Sequence, residues 1–303
     1  MTHLTTERIV QNAFEAGIVV PALNIPYLPM MAPIVEAIRE TNSFALIQVA
    51  RPEWEKFEAK SLGAVREEYE RRKDLRHTRL HLDHVPVIDE DNRRVDFIAL
   101  LEEAIDLGYE SLMVDGSRLP LDENIEATKR AVALARDAGV PIEAELGAVL
   151  GHEEGPLPPY DELFESGRGF TDPDEAARFV EDTAVDWLSV AIGNIHGAIS
   201  GAAKSEKKVQ ARLNIDRLDE IRSRTEIPLV LHGGSGIRLE ALRESFGHGI
   251  AKINIGTALR QPYEKLRGES ITLAQDVARE VTKGILENDL QIAGRAETVN
   301  PQR

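Results

Sequence analysis

Eight short apolar, β-branched runs recur along this chain, each separated from the next by a longer amphipathic stretch. They occupy residues 18–24, 44–50, 79–84, 111–115, 142–146, 187–192, 228–232 and 250–255. Strands that are apolar throughout, rather than alternating, are those buried on both faces, so the pattern predicts a parallel sheet covered by helices. The spacers carry helical signals. Phe97, Leu100, Leu101, Ala104 and Ile105 fall on one helical stripe. Ile125, Thr128, Val132 and Ala135 do the same, and Gly139 with Pro141 ends that segment. Asp172 followed by Pro173 and Glu175 supplies an N-cap, a first-turn proline and a capping-box partner. Eight such units in about 260 residues predict a (β/α)8 TIM barrel. The competing architecture, a doubly wound open sheet, usually shows a glycine-rich turn after its first strand, and residues 22–26 contain no glycine. No linker-like stretch divides the chain. Residues 1–303 therefore read as one domain, with the barrel over about 5–258 and a C-terminal extension, helical and then polar, over about 259–303.

Composition narrows the function. With 42% hydrophobic and 29% charged residues, the chain is neither disordered nor fibrous. A formal net charge of −16 argues against a nucleic-acid binder, which needs a basic face. There is no cysteine, which excludes disulfides, thiolate nucleophiles and cysteine-ligated metals. Residues 1–10 lack a basic region leading into an apolar run, so no secretory signal is expected. The longest apolar stretch, 18–34, is broken by Pro21, Asn24, Pro26, Pro29 and Pro33 and does not read as a membrane span. The expectation is a cytoplasmic protein with neither nucleic acid nor membrane as partner.

In a (β/α)8 barrel the active site lies at the carboxyl ends of the strands. There the chain carries polar or glycine-rich motifs from the third strand to the eighth: His81-Leu-Asp83-His84, Asp115-Gly-Ser117, Glu143-Ala-Glu145-Leu-Gly147, Gly193-Asn-Ile-His196-Gly197, His232-Gly-Gly-Ser-Gly236 and Asn254-Ile-Gly256-Thr257. His84, His196 and His232 lie 112 and 36 residues apart, yet barrel closure would gather them. Three imidazoles with an open position make a catalytic zinc site; otherwise each is a separately hydrogen-bonded rim histidine. Asp83 and His84 are adjacent, and in a regular strand they would face opposite sides. Either the backbone departs from strand geometry there, or His81, which shares a face with Asp83, is the inward residue. Asp115 and Glu145 read as structural acids or as ligands of a second cation. Glu153 sits in an aperiodic stretch over 147–171 and reads as a general base on a lid or as part of a solvated acidic loop. Gly233, Gly234 and Ser235 after the seventh strand, with Asn254, Gly256 and Thr257 after the eighth, fall where such barrels build a phosphate site from backbone N–H groups.

Taken in order, these motifs resemble the class II, zinc-dependent ketose-bisphosphate aldolases, the family of fructose-bisphosphate and tagatose-bisphosphate aldolases. The resemblance spans about residues 5–290 and also rests on Pro21-Ala-Leu-Asn24, Val114-Asp-Gly-Ser117 and Lys252-Ile-Asn254. It implies reversible cleavage of a ketose phosphate to dihydroxyacetone phosphate and an aldehyde through a zinc-stabilised enediolate. It assigns His84, His196 and His232 to catalytic Zn2+, and Asp115 and Glu145 to a second or displaced cation. It assigns Gly197, Gly233, Gly234, Ser235, Asn254, Gly256 and Thr257 to the substrate and its phosphate. Asp83 becomes the acid/base on the aldehyde oxygen and Glu153 the base on the lid. A homodimer or homotetramer is implied as well.

The chain departs from the family pattern where substrate would be held. Ala50 and Arg51 follow the second strand where the family commonly has a small polar residue. Ser200 and a basic insert over 204–212 follow His196-Gly197, where many members carry lysine. Gly256 stands where fructose-bisphosphate aldolases often have aspartate. The metal and aldol chemistry are therefore better supported than any one substrate, and a non-phosphorylated or acidic keto sugar is the alternative. Arg51 reads as a contact to a distal phosphate or carboxylate, or as a surface arginine paired with an acid such as Glu53. More distant alternatives are a metal-dependent hydrolase, which would usually place His-x-His on the first strand, and a sugar-phosphate sensor without activity.

Overall fold

A computed structural model describes residues 3–147, 159–194 and 211–302. Eight parallel strands close into a barrel in sequence order, with the first hydrogen-bonded to the eighth. They are β1 (Val20–Asn24), β2 (Ala45–Ala50), β3 (Thr78–Pro86), β4 (Ser111–Asp115), β5 (Ile142–Leu146), β6 (Trp187–Val190), β7 (Leu229–Leu231) and β8 (Ile250–Ile255). Each predicted run coincides with one strand, and β3 extends beyond its run at both ends. β6 stops two residues short of its run because the Ala191 carbonyl and N–H turn to Thr171 instead of a neighbouring strand.

The helices are α1 (Thr6–Ala16), α2 (Met31–Glu40), α3 (Arg51–Glu55), α4 (Leu62–Arg72), α5 (Phe97–Asp106), α6 (Leu121–Ala138), α7 (Tyr160–Ser166), α8 (Pro173–Thr183), α9 (Ile215–Thr225), α10 (Leu239–Gly247), α11 (Thr257–Arg267), α12 (Ile271–Gly284) and α13 (Ala296–Val299). The two predicted stripes bury one face each on α5 and α6, and Gly139 ends α6 with φ +68°, a left-handed conformation that glycine adopts at little cost. Asp172 caps α8 by accepting from the N–H groups of Asp174 and Glu175. The stretch expected to be aperiodic over 147–171 contains α7, which the two prolines before it conceal in a periodicity reading.

Apolar side chains separate into two cores. The larger lies between the outside of the barrel and the helices, with Ile47, Leu82, Val114 and Leu231 facing Val35, Leu101, Val132 and Leu242. The smaller fills the lower interior of the barrel: Val20, Ala22, Leu46, Trp187 and Val230, closed from below by Ile9, Val10 and Ala13 of α1 and by Val299 of α13. Above that plug the inward-facing residues become polar and charged, and this is where the site begins. No helix among the described residues is long and apolar enough to cross a membrane.

Candidate active site

One local irregularity shapes the mouth of the barrel. β3 pairs with β4 at Leu82–Leu112 and again at Val85–Val114, so Asp83 and His84 together oppose Met113 alone. This is a β-bulge, and its second residue, His84, has φ +40°. A non-glycine residue there costs about 1–3 kcal/mol and persists only where its surroundings hold it. The bulge resolves the adjacency problem posed by the sequence: both side chains reach the mouth. His81 lies one step deeper, buried, with Nδ1 2.9 Å from Ser111 Oγ. Burial, and then the nearby Lys252, push its pKa down to about 3, so it is neutral.

Around the bulge the strand ends converge. Asp83, His84 and His232 each offer a ligand atom, and these atoms lie within 4.8 Å of one another; His84, Asp115 and Glu145 form a second such group. The His84 and His232 rings are 4.4 Å apart between centroids. His84 Nδ1 lies 3.5 Å from Asp115 Oδ2, and His232 Nδ1 lies 2.9 Å from Glu145 Oε2. Asp83 is held from two sides. Asn254 Nδ2 donates to Oδ1 at 2.8 Å, while Gln48 and Asn24 donate to Oδ2 at 3.0 and 3.3 Å. Ser117 donates to Asp115 through both its N–H and its hydroxyl.

The electrostatics follow from this crowding. Burial raises the Asp83 pKa, but His84, Lys252 and His232 outweigh it and hold the carboxyl below its usual range. Burial lowers that of His84, yet Asp83, Asp115 and Glu145 lift it to about 10. Glu145 is raised, first by burial and then by Asp115. Three carboxylates, those of Asp83, Asp115 and Glu145, gathered around two imidazole rings make a centre that draws a cation.

Across the mouth, Gly233 has φ +74° and Gly234 lies so close to β8 that a β-carbon there would stand 2.6 Å from Ile253 Cδ1. The turn over 233–236 is thus pressed against the end of β8. There Gly256 abuts Asn24, and α11 starts at Thr257 with the N–H groups of Thr257 and Ala258 outside the helical ladder.

Against this geometry, a family model described as fructose-bisphosphate aldolase class-II matches residues 4–292. The chain belongs to the class II fructose-bisphosphate aldolase family. It is a class II aldolase, a carbon–carbon lyase. The fructose-bisphosphate aldolase of Staphylococcus epidermidis is 32% identical over 260 residues, covering 85% of this chain and 82% of that protein. The YdjI aldolase from Escherichia coli K12 superposes with a TM-score of 0.74 at 26% identity, covering 97% of this chain and 100% of that one. The fructose-bisphosphate aldolase of Campylobacter jejuni shares the fold, with a TM-score of 0.71 at 18% identity over 99% of this chain and 97% of that one.

Of the residues the motifs single out, this aldolase brings Asp83, His84, Asp115, Glu145, His232 and Asn254 into one cluster, with the glycine turn and Gly256 beside it. Glu153, His196 and Gly197 lie outside the described residues. Arg51 stands at the first turn of α3, with Nε 2.7 Å from Glu55 and Nη1 3.3 Å from Asp89. Glu53 is not its partner; it turns inward to accept from the Ala50 N–H at 2.7 Å. The motifs include Glu143 and Lys252 but give them no role, and Gln48 is not singled out. Glu143 and Glu145, like Lys252 and Asn254, are two residues apart on a strand and so share the inward face, which is the signal that could have found them.

Proposed function

We propose that this enzyme catalyses reversible retro-aldol cleavage of a ketose phosphate, giving dihydroxyacetone phosphate and an aldehyde, with zinc held by His84, His232 and His196. The observation carrying the reading is the convergence of Asp83, His84 and His232 at the mouth of the barrel in a chain of this family. The donors are imidazole nitrogens and carboxylate oxygens without a thiolate, a set suited to catalytic zinc. Asp115 and Glu145, grouped with His84, fit a second cation position. When bound, zinc supplies Lewis-acid polarisation of the ketone and offsets the negative charge that cleavage leaves on its oxygen.

The chain's own residues supply the rest. Asp83 is ionised and held at both oxygens, so it is oriented to take the proton of the hydroxyl that becomes the aldehyde and to return it in the condensation direction. Glu153 exchanges the proton on the carbon next to the ketone. The turn at Gly233, Gly234 and Ser235, with Asn254, Gly256, Thr257 and Gly197, holds the phosphate and the dihydroxyacetone portion. Bare backbone at the turn and the start of α11 are what support this assignment. Arg51 meets an anionic far end of the substrate. Fructose bisphosphate, named for the Staphylococcus relative, is the first candidate substrate. The enzyme works in the cytoplasm as a homodimer or homotetramer; exposed Ile271 and Leu273 at the start of α12 are suited to a subunit contact.

The test is a retro-aldol assay of zinc-loaded protein against ketose mono- and bisphosphates, with and without chelator, following dihydroxyacetone phosphate. Chelator-sensitive cleavage is expected. Zinc-loaded protein that cleaves no phosphorylated ketose overturns the substrate class and directs attention to acidic or non-phosphorylated keto sugars.

A further inference from the structure

Lys252 and Glu143 face each other across the barrel interior, both fully buried, with Nζ 2.8 Å from Oε2. Glu143 Oε1 lies 2.9 Å from His232 Nε2. Lys252 Nζ also donates to Asn254 Oδ1 at 2.6 Å, and Asn254 Nδ2 donates to Asp83 Oδ1. Five side chains from β3, β5, β7's end and β8 thus form one unbroken path, His232–Glu143–Lys252–Asn254–Asp83, with Lys252 as its branch point.

Packing does not account for the pair. Taking both charges out of water is costly, and apolar residues of similar volume usually fill such a space as well or better. What a lysine adds is a fixed polarity, since an ammonium only donates. On one branch, Asn254 must turn its oxygen to Lys252, so its amide nitrogen faces Asp83 and its N–H group meets a carboxylate oxygen. On the other branch, Glu143 is kept as an acceptor for His232 Nε2–H. That leaves Nδ1 directed at the mouth, on the side of Glu145 and His84.

We infer that Lys252 and Glu143 form one positioning unit that sets the tautomer and orientation of His232 and, through Asn254, the orientation of Asp83. A single buried cation thereby keeps the metal-facing imidazole and the acid/base carboxylate in register. This rests on the zinc aldolase reading above.

The test compares Lys252→Met and the charge-free double variant Glu143→Gln/Lys252→Met with the full-length wild-type enzyme. Zinc affinity is read by competition with a chromogenic chelator, kcat is read at saturating zinc, and circular dichroism checks the fold. The inference expects zinc binding to weaken about 10–100-fold, the range for losing an outer partner of a ligating histidine. It also expects kcat of the zinc-saturated variants to fall at least about tenfold, within the scale of a misplaced proton-transfer group. A merely structural role would lower the melting temperature and move neither constant. If Lys252→Met fails to fold because it strands the Glu143 charge, the double variant decides. A folded variant with wild-type zinc affinity, or with wild-type kcat, overturns the inference while leaving the zinc reading intact. Wild-type protein that binds no zinc overturns both.

Discussion

The lower and upper halves of the barrel interior are built from the same strands, two residues apart, and have opposite chemistry. Ala22 lies below Asn24, Leu46 below Gln48, and Val230 below His232. Below, apolar side chains meet the plug formed by α1, and their contribution is burial, each large side chain giving about 1.5–3 kcal/mol. Above, most buried polar groups are held by specific partners, and the carboxylates outnumber the cations near them. The lower half thus supplies stability to a barrel whose upper half is costly to bury. Substitutions below should cost stability and leave chemistry alone; substitutions above should cost chemistry, and stability as well only where they strand a buried charge.

The largest effect expected is on activity. Asp83→Asn keeps the shape but removes the proposed acid/base, and kcat/KM should fall about 10²–10⁴-fold with the melting temperature near that of the wild type. An unchanged kcat/KM would remove Asp83 from the chemistry. Next in size is Leu46→Ala, which should cost about 2–5 kcal/mol in denaturant unfolding while kcat of the folded fraction stays within about twofold. A large loss of kcat from Leu46→Ala would break the division between the two halves.

Most of the fold was legible because strand runs and helix stripes are local signals. The site was legible only in part. The adjacency of Asp83 and His84 left two readings open, a departure from strand geometry or an inward His81, and the bulge with its left-handed His84 is the first of them. Glu143 and Lys252 stood in the motifs, but their pairing was hidden for a different reason. A charged residue inside a strand run reads as an interruption, and only closure of the barrel shows that β5 and β8 face each other with opposite charges. Glu53 was one candidate partner for Arg51, and instead Ala50, whose side chain offers no oxygen, has its N–H capped by the Glu53 carboxyl. α7 was missed because a seven-residue helix after two prolines is too short to show a period.

Glu53 gives a smaller, pH-dependent prediction. Burial raises its pKa from 4.5 to about 8, with the Ala50 N–H opposing and Asp83 reinforcing the shift. The folded protein therefore holds this proton when the unfolded chain has released it. Its contribution to stability is fully present below about pH 4.5 and is lost as pH rises through about 8. Glu53→Gln, which still accepts from Ala50, should flatten the decline in melting temperature across that window. An unchanged decline would place the responsible group elsewhere. The smallest effect belongs to Arg51→Ala. Two carboxylates already pair with this guanidinium. KM for a substrate with an anionic far end should rise only a fewfold, in keeping with about 1 kcal/mol for a partly exposed ion pair. No change in KM or kcat would remove Arg51 from the substrate site.

The most direct test of the central claim is anomalous diffraction at the zinc edge from crystals of zinc-loaded protein. The account predicts a peak at the mouth of the barrel, about 2.0–2.1 Å from nitrogens of His84 and His232, the usual zinc–imidazole distance. A zinc peak elsewhere, with none between these two histidines, would contradict it.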